Sequence, residues 1–172
     1  MTKAIRNQYA QLGVDNYYKT NADVYQNPHE EIIKSLISQS LDRIDYGESI
    51  YDLCCGNGLV TKLLNQNIRF IKGIDPYMAS QYREQTGKDC FELDFKQMSQ
   101  NINLPKVNTI VCSFALHLCP ESLLPNVLYN LSQLAQQLVI ITPNKKPNIT
   151  QFWEMTDKIV QDRVRLQIYK RK

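Results

Sequence analysis

The sequence has no Cys-x-x-Cys pair, no internal repeat, no low-complexity tract and no apolar run near the ~20 residues that a membrane span needs. Each absence removes a class of function. Without cysteines at metal-ligand spacing there is no zinc ribbon or finger, and no Cys–His spacing suggests another metal site. The first residues, Met1-Thr2-Lys3-Ala4, lack the apolar core of a secretory signal. Histidine is scarce, with only His29 and His117 in 172 residues. Net charge is small too: 20 Lys and Arg against 17 Asp and Glu leave a formal +3. Charge alone therefore argues for no nucleic-acid partner.

Five cysteines are present: Cys54, Cys55, Cys90, Cys112 and Cys119. Their odd number and their apolar neighbours read as small buried hydrophobes in a reducing compartment, so a cytoplasmic location is expected. At 172 residues, 43% hydrophobic and 22% charged, the chain suits one globular domain with a real core. Basic residues gather near the end (Arg163, Arg165, Lys170, Arg171, Lys172), with Lys145 and Lys146 nearby in sequence. A solvated edge strand with a charged tail accounts for them; a nucleic-acid footprint is the competing reading.

Residues 1–26 are polar with scattered tyrosines (Tyr9, Tyr17, Tyr18, Tyr25) and read as an N-terminal arm or lid. Asn27-Pro28-His29-Glu30-Glu31 predicts a helix start, with Asn27 as N-cap, Pro28 at the first helical position and acids in the first turn. Ile32, Ile33, Leu36, Ile37, Leu41 and Ile44 continue at helical spacing, so this helix should end near 43–46, before Gly47. Strands are then expected at about 49–54, 70–74, 89–92, 109–112 and 138–141. Helices are expected between them at about 59–66, 78–86 and 123–134. Such alternation means parallel βαβ units and an α/β fold. Val164, Leu166 and Ile168 alternate with polar residues, which predicts a strand, and 154–160 can pair with it as a hairpin. The expectation is one domain, 1–172, made of an arm (1–26), a ligand-binding core (27–145) and a C-terminal hairpin (146–172).

In an open α/β sheet, ligands bind beyond the carboxyl ends of the strands. The residues that finish strands are therefore the candidates. Asp52-Leu53-Cys54-Cys55-Gly56-Asn57-Gly58 leaves the first strand through a glycine loop into a helix start, which supplies unpaired N–H donors. An acid there would repel a phosphate and suits a ligand that is cationic or rich in hydroxyl and amino groups. This points away from a dinucleotide and towards S-adenosylmethionine. A nicotinamide site fits less well also because Thr61 stands where a third Gly or Ala is expected. Asp75 lies 17 residues past Gly58 and can accept both hydroxyls of a ribose; the alternative is a turn Asp before Pro76. Asp94 can accept from an exocyclic amino group while Phe95 flanks a purine; alternatively Asp94 caps the segment 95–99.

These motifs resemble those of the class I, Rossmann-like S-adenosylmethionine-dependent methyltransferases. Asp52–Gly58 is similar to the family's first signature, Gly73-Ile74-Asp75 to the second, Leu93-Asp94-Phe95 to the third and Ser113-Phe114-Ala115-Leu116-His117 to the fourth. The resemblance spans roughly 30–145, with the motifs in order and in register. The segments Tyr25–Glu31, Gly73–Tyr77, Ser113–Leu118 and Thr142–Pro147 together resemble a compact, poorly characterised branch of that family. The resemblance implies a three-layer sandwich around a mostly parallel seven-stranded sheet with an antiparallel last strand. It implies that Gly56 and Gly58 border the methionine moiety, with Asp52 supporting the loop and helping to receive the amino group. Asp75 would hold the ribose with Tyr77 beside the adenine, Asp94 and Phe95 would bind the adenine, and Ser113 and Phe114 would floor the site. Cys54 is the one departure, at a position usually small and often glycine.

The implied activity is methyl transfer to a small molecule, since the chain has no substrate-domain insertion and no nucleic-acid module. The alternatives are methylation of protein or RNA through the basic C-terminal strand, and a non-catalytic subunit that keeps the fold. Neither a metal nor a membrane partner is expected. Ser113-Phe114-Ala115-Leu116 is unlike the Asn/Asp-Pro-Pro-Tyr/Phe turn of amino-methyltransferases acting on nucleic-acid bases or glutamine. His117 is the candidate general base, and Tyr17, Tyr18, Tyr25 and His29 are candidates to cover the cofactor or meet the acceptor.

Overall fold

The apolar runs after residue 48 become strands because they are buried on both faces, and so they read as continuous rather than alternating strings. The structure, a computed structural model, describes residues 10, 13–21 and 27–172. Among the elements described in full, α1 (Val14–Asn21) and α2 (Glu30–Ser40) precede the sheet. They are followed by β1 (Ser49–Leu53), α3 (Leu59–Leu64), β2 (Phe70–Ile74), α4 (Ala79–Thr86), β3 (Cys90–Phe91) and α5 (Phe95–Met98). The second half holds β4 (Val107–Ser113), α6 (Leu124–Leu134), β5 (Ala135–Thr142), β6 (Trp153–Gln161) and β7 (Val164–Arg171).

The seven strands form one sheet in the order β3-β2-β1-β4-β5-β7-β6. All pairings among β1 to β5 are parallel, and β7 runs antiparallel to both β5 and β6. One face is covered by Ile33, Leu36 and Ile37 of α2 and Val60 and Leu64 of α3, packed on Ile50, Val111, Val139 and Leu166. The other face is covered by Val127, Leu128 and Leu131 of α6, packed on Tyr51, Leu53, Ile110 and Leu138. The result is the expected three-layer sandwich. The C-terminal hairpin is part of the same sheet, with β7 inserted beside β5 and the fully buried Trp153 indole donating to the Leu128 carbonyl at 3.2 Å.

Element ends differ from expectation most at α2 and β5. Helix α2 begins at Glu30, because Asn27 Oδ1 accepts from the His29 amide (2.9 Å) and so caps a preceding turn instead of the helix itself. It ends at Ser40, whose buried hydroxyl bonds back to the Ile37 carbonyl and to Tyr46 Oη, each at 2.7 Å. Strand β5 begins at Ala135, directly after α6. Its polar start hid it from a search for apolar runs, yet Gln137 is buried and donates to the Asp45 carbonyl and to Thr109 Oγ1. Of the arm, α1 is described, with Tyr17 buried. Among the described residues no helix is long and apolar enough to cross a membrane.

If the hairpin is integral to the sheet, its central residue should carry full core weight. Leu166→Ala is expected to cost about 2–5 kcal/mol in urea unfolding with a single transition. A loosely docked hairpin would show a much smaller loss.

Candidate functional site

Strands β1 and β4 are neighbours, but their exits diverge. β1 leads to α3 on one face of the sheet, while β4 leads to α6 on the other. Diverging loops leave a crevice at the carboxyl edge of the sheet. A cavity of about 250 Å³ lies there. Asp52, Cys54, Gly56, Asp75, Tyr77, Asp94, Phe95, Ser113 and Phe114 all border it. The four motifs thus converge, although they are spread over some sixty residues.

Both central strands break off at a left-handed residue. Cys54 has φ 56° and its amide donates to the Ile74 carbonyl at 2.7 Å. Phe114 has φ 54° and its amide donates to the Ile141 carbonyl at 2.7 Å. A left-handed conformation costs a non-glycine residue roughly 1–2 kcal/mol, so glycine would be the unstrained choice at 54. This is the physical content of the Cys54 departure: the backbone keeps the glycine-like turn and the side chain adapts to it.

Gly58 does not border the cavity, against expectation. It is buried, has φ 87°, and a Cβ there would meet Thr86 Cγ2 at 2.2 Å. Its missing side chain lets α3 start against α4.

The three carboxylates sit differently. Asp52 is buried, and its Oδ2 accepts from the Thr61 amide (3.1 Å) and hydroxyl (2.8 Å). Thr61 Oγ1 is also 2.8 Å from Tyr82 Oη. Burial pushes the Asp52 carboxyl up to about 7, against the pull of the Thr61 bonds. Asp75 Oδ2 accepts from the Gly56 amide at 3.1 Å, and its Oδ1 accepts from the amides of Tyr77 and Met78, each at 2.9 Å. Asp75 is thus both a turn residue and a wall of the cavity, and the two readings coexist. Its pKa is also raised by burial despite those three donors. Asp94 caps α5 in a capping box, accepting from the Gln97 amide at 2.7 Å while Gln97 accepts from the Asp94 amide. It too borders the cavity while serving as the cap.

Ser113 Oγ is buried without a hydrogen-bond partner, and is the one such side-chain atom among the described residues. An orphaned hydroxyl on the wall of a cavity is an open acceptor and donor for whatever fills it. His29 does not border the cavity. Its ring stacks on that of Phe114, with centroids 4.2 Å apart and planes 13° from parallel, and burial lowers its pKa. His117 lies in a helical turn between two wall residues, Ala115 and Leu118, but is itself exposed and outside the wall, with a pKa lowered by partial burial. Tyr17 is buried and outside the wall; Tyr18 lies in α1; Tyr25 falls outside the described residues. Sequence reasoning missed Asn27, Lys96, Met98, Pro120 and Leu123, which also line the wall. Met98 carried a signal, one helical turn past Phe95.

No family model matches the chain. Uncharacterized protein C17A5.05c of Schizosaccharomyces pombe is 28% identical to this chain, over 87% of this chain and 78% of its own length. Among solved structures, the N-methyltransferase NodS of Bradyrhizobium japonicum WM9, in complex with S-adenosyl-L-homocysteine, superposes with a TM-score of 0.73 at 12% identity, over 90% of this chain and 96% of NodS. Magnesium protoporphyrin IX methyltransferase of Synechocystis PCC 6803, with bound S-adenosylmethionine, gives 0.66 at 15% identity, over 98% and 95%. A TehB-like methyltransferase of Corynebacterium glutamicum gives 0.64 at 16% identity, over 96% and 97%. The chain therefore has the Rossmann-like fold of the class I S-adenosylmethionine-dependent methyltransferases.

Two outcomes follow from this geometry. Gly58→Ala should destabilise by about 2–4 kcal/mol, and adding Thr86→Ser, which removes Cγ2 but keeps the hydroxyl, should recover part of the loss in urea melts. Asp52 gives a pH signature. Its folded pKa lies above the unfolded value of about 3.9, so its stabilising contribution is full below about pH 4 and lost as pH rises to about 7. The stability difference between wild type and Asp52→Asn should therefore shift against wild type over that window; a difference that does not change with pH would refute the raised pKa.

Proposed function

We propose that this chain is an S-adenosylmethionine-dependent methyltransferase acting on a small-molecule acceptor. The observation that carries the reading is the meeting of three acidic strand ends and the unpartnered Ser113 hydroxyl around one cavity. The donor and acceptor set fits the cofactor. A carboxylate offers about four acceptor sites. Asp75 uses three of them on backbone amides and Asp52 uses two on Thr61, which leaves capacity on both. Their negative charge suits a cationic sulfonium and an ammonium and would oppose a pyrophosphate.

In this reading Asp75 receives the ribose, Asp94 and Phe95 the adenine beside Tyr77, and the Gly56 loop with Asp52 the amino acid end. Ser113 and Phe114 form the floor. When bound, S-adenosylmethionine supplies an activated methyl group to an attacking nucleophile. The protein's work is placement and exclusion of water, for which orientation alone is worth roughly 7–11 kcal/mol in favourable cases. A base is needed only if the acceptor arrives protonated. Among the two histidines, His29 has the better position, stacked on a residue of the wall, and its lowered pKa favours the neutral, proton-accepting ring. The five free thiols support a cytoplasmic setting.

Calorimetric titration tests the cofactor. S-adenosylhomocysteine should bind the intact chain at micromolar level, and no binding would overturn the reading. Ser113→Ala separates binding from stability. The hydroxyl has no partner to lose, so Tm should hold, while affinity should fall about five- to tenfold, the value of ~1–1.4 kcal/mol for one hydrogen bond.

A further inference from the structure

We propose that the methyl acceptor is a small molecule carrying an anionic group, held by Lys145, Lys146, Arg163 and Arg165 at the sheet edge beside the cavity. This rests on the methyltransferase reading and names its substrate class.

The topology places these residues along one edge of the sheet. Ser113 on the cavity floor pairs with Ile141 on β5, which pairs with Leu166 on β7. Two strand spacings, roughly 10 Å, therefore separate the floor from β7. One residue nearer the carboxyl edge, Thr142 pairs with Arg165. The β6–β7 turn, Asp162-Arg163, lies at that same edge, since Gln161 pairs with Val164. The chain leaving β5 starts there too. Arg165 Nη1 donates to the Pro143 carbonyl at 3.2 Å, and the Asn144 amide donates to Thr142 Oγ1 at 3.0 Å, which fixes the approach to Lys145 and Lys146.

None of these four cations forms an ion pair among the described residues, where Lys34, Arg43, Arg69, Lys72 and Arg83 do. Asp162 is the one carboxylate within the two segments, 143–147 and 162–165. Lys145, Lys146 and Arg163 are exposed. Four cations against one acid match the formal charge of +3 for the whole chain, so the remainder is balanced. A polyanion footprint needs a broad basic face, whereas this charge is local and lies on the same edge of the sheet as the cavity, about two strand spacings from its floor.

The turn adds an independent observation. Asp162 has φ 47° and Arg163 φ 67°. A two-residue hairpin turn of this kind favours Asn-Gly or Asp-Gly. Here the second position, where glycine is unstrained, holds an arginine. Strain kept at the rim of a site points to a use for the side chain.

The test uses the full chain, with and without saturating S-adenosylhomocysteine, and three probes that share one ring: benzoate, phenyl phosphate and benzamide. Amide shifts of Asn144, Lys145 and Arg163 are followed by NMR. Both anions, or one of them, should move these amides saturably, and which one does so distinguishes a carboxylate from a phosphate. Benzamide should not move them. Arg163→Gly should leave Tm unchanged or raised, keep S-adenosylhomocysteine affinity, and weaken anion binding at least fivefold. Lys145→Ala with Lys146→Ala should do the same. Equal binding of benzamide, no response to either anion, or full anion affinity in Arg163→Gly would overturn the proposal. A short RNA oligonucleotide binding there a hundredfold more tightly than phenyl phosphate would overturn the small-acceptor form. Failure of S-adenosylhomocysteine to bind counts against the methyltransferase reading, while titration of the free protein still reads the basic edge on its own.

Discussion

The carboxylate of Asp75 is the tie on which the site depends. It accepts from the Gly56 amide on one side and from the Tyr77 and Met78 amides on the other. One side chain thereby joins the end of β2, the start of α4 and the glycine loop after β1. Asp52 repeats the device one strand over, where it grips the first turn of α3 through Thr61. Both acids are buried beside each other at a cost, seen in their raised pKa values. Buried carboxylates persist where hydrogen bonds and function hold them. Here they shape the backbone around the cavity and keep unused acceptor capacity.

The second constraint is backbone handedness. β1 and β4 lie side by side, and each must release its chain at once toward an opposite face. Left-handed residues at Cys54 and Phe114 make those departures, each with its amide bonded to a carbonyl at the end of the strand on its outer side, Ile74 in β2 or Ile141, the next-to-last residue of β5. Phe114 is turned so that its ring meets His29 at the head of α2. The contact draws α2 to the cavity and explains why the better-placed histidine is remote in sequence from the motif it supports.

Legibility in the sequence followed the kind of force involved. Strands buried on both faces declared themselves as apolar runs, and α6 as a period of leucines. Asp52, Asp75, Asp94 and Ser113 stood out because each ends a run abruptly. Polar residues inside elements were invisible: Gln137 in β5 is tolerated only because Asp45 and Thr109, distant in sequence, satisfy it. Gly58 was assigned to the ligand because a glycine loop suggests close approach. The same glycine is demanded by Thr86 on a helix whose position no local pattern reports. His117 follows the fourth motif, and its turn leaves it exposed between two residues of the wall.

By itself the sequence determined the fold class, the order of the strands along the chain and the four segments after strands that border the cavity. These depend on local patterning: burial period, turn residues and the acid that interrupts an apolar run. Tertiary structure decided which of those residues share a wall, which glycine serves packing, which histidine stacks on a residue of the wall, and that Lys145 and Arg163 stand at one edge. These are contacts across the sheet, and they exist only once β7 has inserted beside β5 and β1 has paired with β4.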